Sequence, residues 1–345
     1  MAKRAIRVLV VEDSLLFREV LVKGLSVDDG IEVVGVAKDP FEARDRILEL
    51  MPDVMTLDVQ MPRMNGIEFL KRLMPQHPMP VVVVSAASHI VFDAMSAGAV
   101  DFAAKPERQT PEALQSFIQE LAVKVKIASI ANVSKWKRGY QPAQGGALTD
   151  PGAKSRILAI GASTGGTEAL FEIVRRFPRN MTGTVVVQHM PPVFTRLYAE
   201  RLNQNCAVEV LEASDGDEVR EGRVLIAPGD VHIRVVRKGT GYVVQYADLD
   251  KVNGHRPSVD VLFDSVAQAA GSSAVGVILT GMGSDGAKGL LAMKRQGAGT
   301  IGQNEETCVV YGMPKVAYEL GAVDRQLPLK DIAEQILRLL SGQPG

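Results

Sequence analysis

The chain has 345 residues, a length that suits about two domains. Its 39 basic and 40 acidic residues leave a net charge of −1, which argues against a nucleic-acid-binding domain. Two cysteines, Cys206 and Cys308, make neither a disulfide framework nor a cysteine metal cluster. No apolar run reaches the ~20 residues that span a bilayer. The first apolar run, Val8 to Val11, is short for a secretion signal and leads straight into Glu12-Asp13. The expectation is a cytoplasmic, monomeric protein without direct membrane insertion.

Residues 1–125 alternate strand and helix. Apolar runs predict strands at 6–11, 32–37, 53–57, 81–84 and 101–104. They lack period-two alternation, as parallel strands covered on both faces do. The segments between them carry helical spacing, so a doubly wound α/β domain is predicted. Polar residues gather at the strand ends: Glu12-Asp13 after the first, Asp58 at the third, Ser85 at the fourth, Lys105 after the fifth. In a parallel sheet those ends share one edge. Three carboxylates meeting there repel one another unless a cation joins them, and a hard divalent ion such as Mg2+ fits. Lys105 and Ser85 then suit phosphate oxygens.

Residues 126–155 are predicted to be an interdomain linker. The stretch 134–146 is rich in Gly, Pro and basic residues, lacks periodicity, and holds the only tryptophan, Trp136. Residues 156–345 form a second α/β domain. An antiparallel hairpin insertion is expected between 222 and 247, turning at Gly239-Thr240-Gly241. Amphipathic helices are expected at 259–270 and 329–340.

The second domain carries a catalytic pattern. An apolar strand runs into Gly161-Ala162-Ser163-Thr164-Gly165, the spacing of a nucleophile elbow. Glycines flank the serine because side chains would clash in so tight a bend. A helix follows, so backbone N–H groups face the serine. A second buried strand ends on His189, and a third leads to Asp285. A serine hydroxyl needs a base, and a carboxylate orients that base. The order Ser163, His189, Asp285 disfavours the ordinary α/β-hydrolase fold, where the acid precedes the histidine. A competing pattern, Gly281-x-Gly283-x-x-Gly286, resembles a dinucleotide fingerprint. There Asp285 would sit against a pyrophosphate and be repelled, so no cofactor is expected for this domain.

The first set of residues resembles the receiver domain of two-component response regulators. That resemblance implies a flavodoxin-like fold with Asp58 as phosphoacceptor. It implies a Mg2+ site from Glu12, Asp13, Asp58 and the backbone of Gln60, with Ser85, Lys105 and Phe102 sensing the phosphoryl group. The second half is similar to the chemotaxis protein-glutamate methylesterases. The carrying motifs are Gly161–Gly166, Gln188-His189-Met190-Pro191-Pro192, His255-Arg256-Pro257-Ser258-Val259-Asp260 and Thr280–Gly286. The resemblance implies hydrolysis of γ-glutamyl methyl esters on chemoreceptors, deamidation of some glutamines, and activation by a chemotaxis histidine kinase. Ser163 becomes the nucleophile, His189 the base and Asp285 the orienting acid. Backbone N–H groups of Thr164 and Met282 become oxyanion donors. Arg256 lies in a matching motif. Gln60 departs from a usual glutamate, lowering local charge, and Ser284 from a usual asparagine. Two rival readings are a response regulator with a non-catalytic, receptor-binding second domain, and a dinucleotide-dependent enzyme.

Overall fold

The computed structural model describes residues 4–62, 64–86, 90–133 and 156–341. Trp136 and most of the expected linker lie outside them. The chain divides into two compact units, Met1–Gln141 and Pro142–Gly345.

In the first unit, β1 (Ile6–Val11), β2 (Ile31–Ala37), β3 (Val54–Asp58), β4 (Val81–Ser85) and β5 (Asp101–Ala104) alternate with helices. These are α1 (Leu15–Leu25), α2 (Pro40–Leu50), α3 (Gly66–Gln76), α4 (Val91–Ser96) and α5 (Pro111–Ala128). The sheet is parallel, in the order β2-β1-β3-β4-β5. Every residue of β3 and β4 is buried, because helices cover both faces. Side chains cap the helix starts: Ser14 before α1, Asp39 before α2, Asn65 before α3 and Thr110 before α5 each accept a backbone N–H. The last helix continues to Ala128, past the boundary expected at residue 125.

The second unit holds β6 (Ile157–Ala162), α6 (Gly166–Val174), β7 (Thr184–Gln188), α7 (Phe194–Asn205), β8 (Glu209–Glu212), β9 (Glu218–Val219) and β10 (Arg223–Ile226). It continues with β11 (His232–Lys238), β12 (Gly241–Ala247), α8 (Val259–Ala270), β13 (Ala274–Ile278), α9 (Ala287–Arg295) and β14 (Gly299–Gln303). It ends with α10 (Met313–Glu319), β15 (Arg325–Leu327) and α11 (Leu329–Leu340). A seven-stranded parallel sheet runs β15-β14-β13-β6-β7-β10-β8. The antiparallel hairpin of β11 and β12 is present and turns at Gly239-Thr240, with β9 pairing on β12. One expectation is corrected. The insertion expected between 222 and 247 would include residues 223–226, but β10 lies in the parallel sheet between β7 and β8. A short apolar run of three residues, Val224 to Ile226, carries no mark of which partner it will find.

Topology places the chemistry. β6 sits between β13 and β7, with Ile278 paired to Gly161 and Gln188 to Ala162. The three strands therefore end at one level, at the point where chain order reverses across the sheet.

Candidate active site and phosphoacceptor pocket

Ser163, His189 and Asp285 are all delivered to that edge. Backbone bonds stitch the strand ends together: His189 N–H donates to the Ala162 carbonyl at 3.1 Å, and Ser163 N–H to the Thr280 carbonyl at 3.0 Å. The Thr280 hydroxyl donates to the Thr164 carbonyl at 3.0 Å. The elbow needs its glycines. Gly165 has φ +77°, a conformation that side chains disfavour. A Cβ on Gly281 would lie 2.6 Å from the Ser163 Cβ, so Gly281 passes directly beside the serine.

His189 is the hinge of the site. Its side chain is only 8 % exposed, and Nε2 lies 2.9 Å from Asp285 Oδ2. With Nε2 carrying the proton toward Asp285, Nδ1 is left with a bare lone pair. Nδ1 is buried and has no hydrogen-bond partner among the described residues, so the Ser163 hydroxyl is not bonded to it here. Such contacts commonly close only around substrate. His255 covers one face of the ring, stacked at 3.8 Å between centroids and 11° between planes.

Asp285 is buried and heavily solvated by protein. Besides His189, it accepts from Asn253 Nδ2 (2.7 Å), Ser258 Oγ (2.7 Å) and the N–H groups of Val259 (2.7 Å) and Asp260 (3.3 Å). Those two N–H groups open α8, so the carboxylate caps that helix and meets the positive end of its dipole. The N-cap Ser258 makes no side-chain cap of its own, since its hydroxyl is spent on Asp285. Burial alone would raise the Asp285 carboxyl, but His189, Asn253 and Ser258 outweigh it and hold it far below the usual carboxylate range.

Asn253, His255 and Ser258 share one segment, and a further histidine anchors it. His232 Nε2 lies 3.0 Å from the Asp250 carbonyl, and His232 Nδ1 accepts the Ser258 N–H at 3.1 Å. Sequence reasoning gave none of these four residues a role. His255 and Ser258 lay inside a quoted motif, whereas Asn253 and His232 showed only as turn and strand residues. Arg256 reaches Asp230 instead, at 2.9 Å. The glycine pattern 281–286 puts Asp285 inside this network, which occupies the carboxylate.

In the first unit, ligand oxygens of Glu12, Asp13 and Asp58 lie within 4.8 Å of one another. Lys105 Nζ bridges the buried pair, 2.7 Å from Asp58 and 2.8 Å from Glu12. Burial pushes the Glu12 carboxyl up to about 7, with Lys105 opposing and Asp58 adding to the rise. For Lys105, burial disfavours the charge, yet Asp58 and Glu12 raise its pKa overall. One ammonium against three carboxylates leaves negative charge on hard oxygens, a donor set that suits Mg2+. Gln60 N–H donates to Asp58 Oδ1 at 3.0 Å. Ser85 is buried at the end of β4, and the Lys105 N–H donates to its carbonyl at 3.0 Å. Phe102 is buried in β5 with the Lys124 ammonium 5.1 Å from its ring centroid.

Comparison with known proteins gives a consistent result for both units. The family model for CheB methylesterase matches residues 158–336, and that for the response regulator receiver domain matches residues 8–119. A protein-glutamate methylesterase/protein-glutamine glutaminase 2 of Syntrophomonas wolfei is 57% identical over 342 residues, covering 99% of both chains. The protein-glutamate methylesterase/protein-glutamine glutaminase of Salmonella choleraesuis is 46% identical over 342 residues, covering 97% of each. The crystal structure of the Thermotoga maritima CheB methylesterase catalytic domain matches with a TM-score of 0.53 and 42% identity, covering 54% of this chain and 100% of that one.

Proposed function

The chain belongs to the CheB methylesterase family and carries a response regulator receiver domain, and from that premise we propose how its residues divide the work of a phosphorylation-activated protein-glutamate methylesterase and protein-glutamine glutaminase. The substrate is the γ-glutamyl methyl ester of a chemoreceptor, and glutamine is handled by the same attack on an acyl carbon. The observation that carries the reading is the His189–Asp285 pair at 2.9 Å beside the Ser163 elbow.

The Ser163 Oγ attacks the ester carbonyl, and its proton passes to His189 Nδ1, the nitrogen left bare by the Asp285 bond. Asp285 holds that tautomer and stabilises the imidazolium. The N–H groups of Thr164 and Met282 face the developing oxyanion, with the α6 N-terminus behind them. The tetrahedral intermediate collapses as the C–O bond to the methyl group breaks, and Nδ1–H gives its proton to the leaving methoxide, releasing methanol. Water then attacks the acyl-serine, Nδ1 takes its proton, and Ser163 departs with that proton restored.

The receiver unit supplies the switch. Asp58 accepts the phosphoryl group from a histidine kinase. Lys105 and Ser85 then contact the phosphoryl oxygens, and Phe102 reports the change. Glu12, Asp13, Asp58 and the Gln60 carbonyl would hold Mg2+, which supplies positive charge against the phosphoryl oxygens. In domain terms, residues 1–125 receive the signal, 126–155 link and 156–345 catalyse, with the first boundary extended by the end of α5. The site of action is the cytoplasmic face of the signalling array.

The test is methanol release from membranes bearing methylated chemoreceptors, with and without a small phosphodonor and Mg2+. Release that rises with phosphodonor is expected. Receptor binding with no methanol under either condition overturns the reading and leaves a non-catalytic output domain.

A further inference from the structure

A single hydrogen bond fixes one atom of a ring, not its plane. Among the described residues His189 is tied to Asp285 through Nε2 alone, and Nδ1 has no hydrogen-bond partner there to resist rotation. Misorientation of a base by about 1 Å costs on the order of 10²-fold in rate. Something must set the plane, and His255 is the group in position, with its ring 3.8 Å from the His189 ring and 11° from parallel. We propose that His255 is a positioning residue, a flat wall that keeps the His189 ring in the plane where Nε2 meets Asp285 and Nδ1 faces the nucleophile. This rests on the reading of His189 as the base.

The wall is itself rigidly mounted. Val252 N–H donates to the His255 carbonyl at 3.1 Å, and His255 N–H to the Val252 carbonyl at 2.9 Å. The turn between them is made by Asn253 and Gly254, with φ +53° and +81°, the paired left-handed geometry of a tight hairpin turn. Asn253 and Ser258 from the same segment both hold Asp285 Oδ1. His232 clamps the segment at Asp250 and Ser258. One loop therefore fixes the carboxylate and the ring face together. The wall must also carry no charge, since a cation there would oppose the imidazolium that forms on His189. Burial, first, and then the proximity of His189 push the His255 imidazole down to about 4, so at neutral pH it is an uncharged ring.

The experiment compares full-length, phosphodonor-activated His255→Ala, His255→Leu, His255→Phe and His189→Gln. Phenylalanine keeps a flat ring without nitrogens, and leucine keeps apolar volume without a flat face. We expect kcat to fall about 10- to 100-fold in His255→Ala and His255→Leu, with KM for methylated receptor within about twofold. His255→Phe should return kcat to within about threefold of the parent. Long-range 1H–15N spectra should show one His189 tautomer in the parent and His255→Phe, and exchange-averaged nitrogens in His255→Leu. The leucine variant serves if alanine fails to fold. His189→Gln at parental rate would overturn the base assignment itself. An inactive His189→Gln beside fully active His255→Leu would overturn the positioning role alone. A His255→Phe as slow as His255→Leu would show that a ring nitrogen is needed, and would also overturn it.

Discussion

The Gln188 side-chain amide donates to the carbonyl of Ser163 across 3.0 Å and also reaches the His189 carbonyl at 3.3 Å. The last residue of β7 thus braces the backbone that carries Ser163 and His189. Gln188 is buried, so its removal takes this donor from the His189 carbonyl, while the Ser163 carbonyl keeps the Gly166 N–H at 2.7 Å. Gln188→Leu should lower unfolding stability by about 1–3 kcal/mol, the usual penalty for a buried unsatisfied group. It should slow methanol release as well. Urea unfolding and steady-state rates measured together check this; unchanged values for both would mean the brace is idle.

Replacing Ser163, the proposed nucleophile, separates chemistry from folding. Ser163 is half-buried in a turn set by backbone bonds, so alanine there disturbs little packing. The covalent route is lost while oxyanion donors remain. Ser163→Ala should reduce methanol release by about three orders of magnitude or more, with an unchanged melting transition. Residual activity within tenfold of the parent would assign the nucleophile elsewhere.

Much of this site is legible in the sequence because each strand end announces itself. An apolar run stops at a polar residue, and parallel topology brings such ends to one edge. That logic finds Ser163, His189, Glu12, Asp58, Ser85 and Lys105. It does not find Asn253, which bonds Asp285 across 32 residues of sequence, nor the stacking of His255 on His189. Those contacts depend on how one loop folds back, and no periodicity encodes that. The same blindness put β10 with the hairpin, since its three apolar residues fit either sheet.

Asp285→Asn tests the orienting acid. The carboxylate accepts from His189, Asn253, Ser258, Val259 and Asp260. An asparagine amide must point its NH2 at one of these donors. Facing His189, it would donate to Nε2 and force the proton onto Nδ1, where the serine proton has to go. The expected loss in kcat is on the order of 10⁴-fold, as for a wrong tautomer in a serine triad. A loss under tenfold in the methanol assay would show that Asp285 serves only to cap α8.

The receiver pocket makes a separate prediction. Asp58 Oδ2 faces Lys105 at 2.7 Å, and Glu12 and Asp13 lie close by. A small phosphodonor with Mg2+ should add one phosphoryl mass, and Asp58→Asn should abolish it. Chelating the metal should suppress uptake in the parent chain too. Intact-mass spectra give the answer directly, and equal uptake by Asp58→Asn would place the acceptor on another residue.

Stability should depend on pH through the buried His232 and the half-buried His255. His255 is pushed down to about 4 by burial first, then by His189 and Lys251, with Asp285 opposing. His232 is lowered by burial first, with the Asp250 carbonyl and Asp285 opposing and Arg256 and Arg234 assisting. In the unfolded chain both titrate near the ordinary value of about 6.5. Between about 6.5 and about 4, the unfolded state therefore binds a His255 proton that the folded state refuses. Stability rises with pH wherever the unfolded state binds more protons. It is highest above about 6.5 and declines as the pH falls toward 4. His255→Phe removes that titration while keeping the ring against His189. Its melting temperature should fall less steeply than the parent's from pH 7 to pH 4.5, so the difference grows in the variant's favour on acidification. Calorimetry on the two full-length proteins across that range decides the matter: parallel curves would mean that His255 takes up its proton as readily in the folded protein as in the unfolded one.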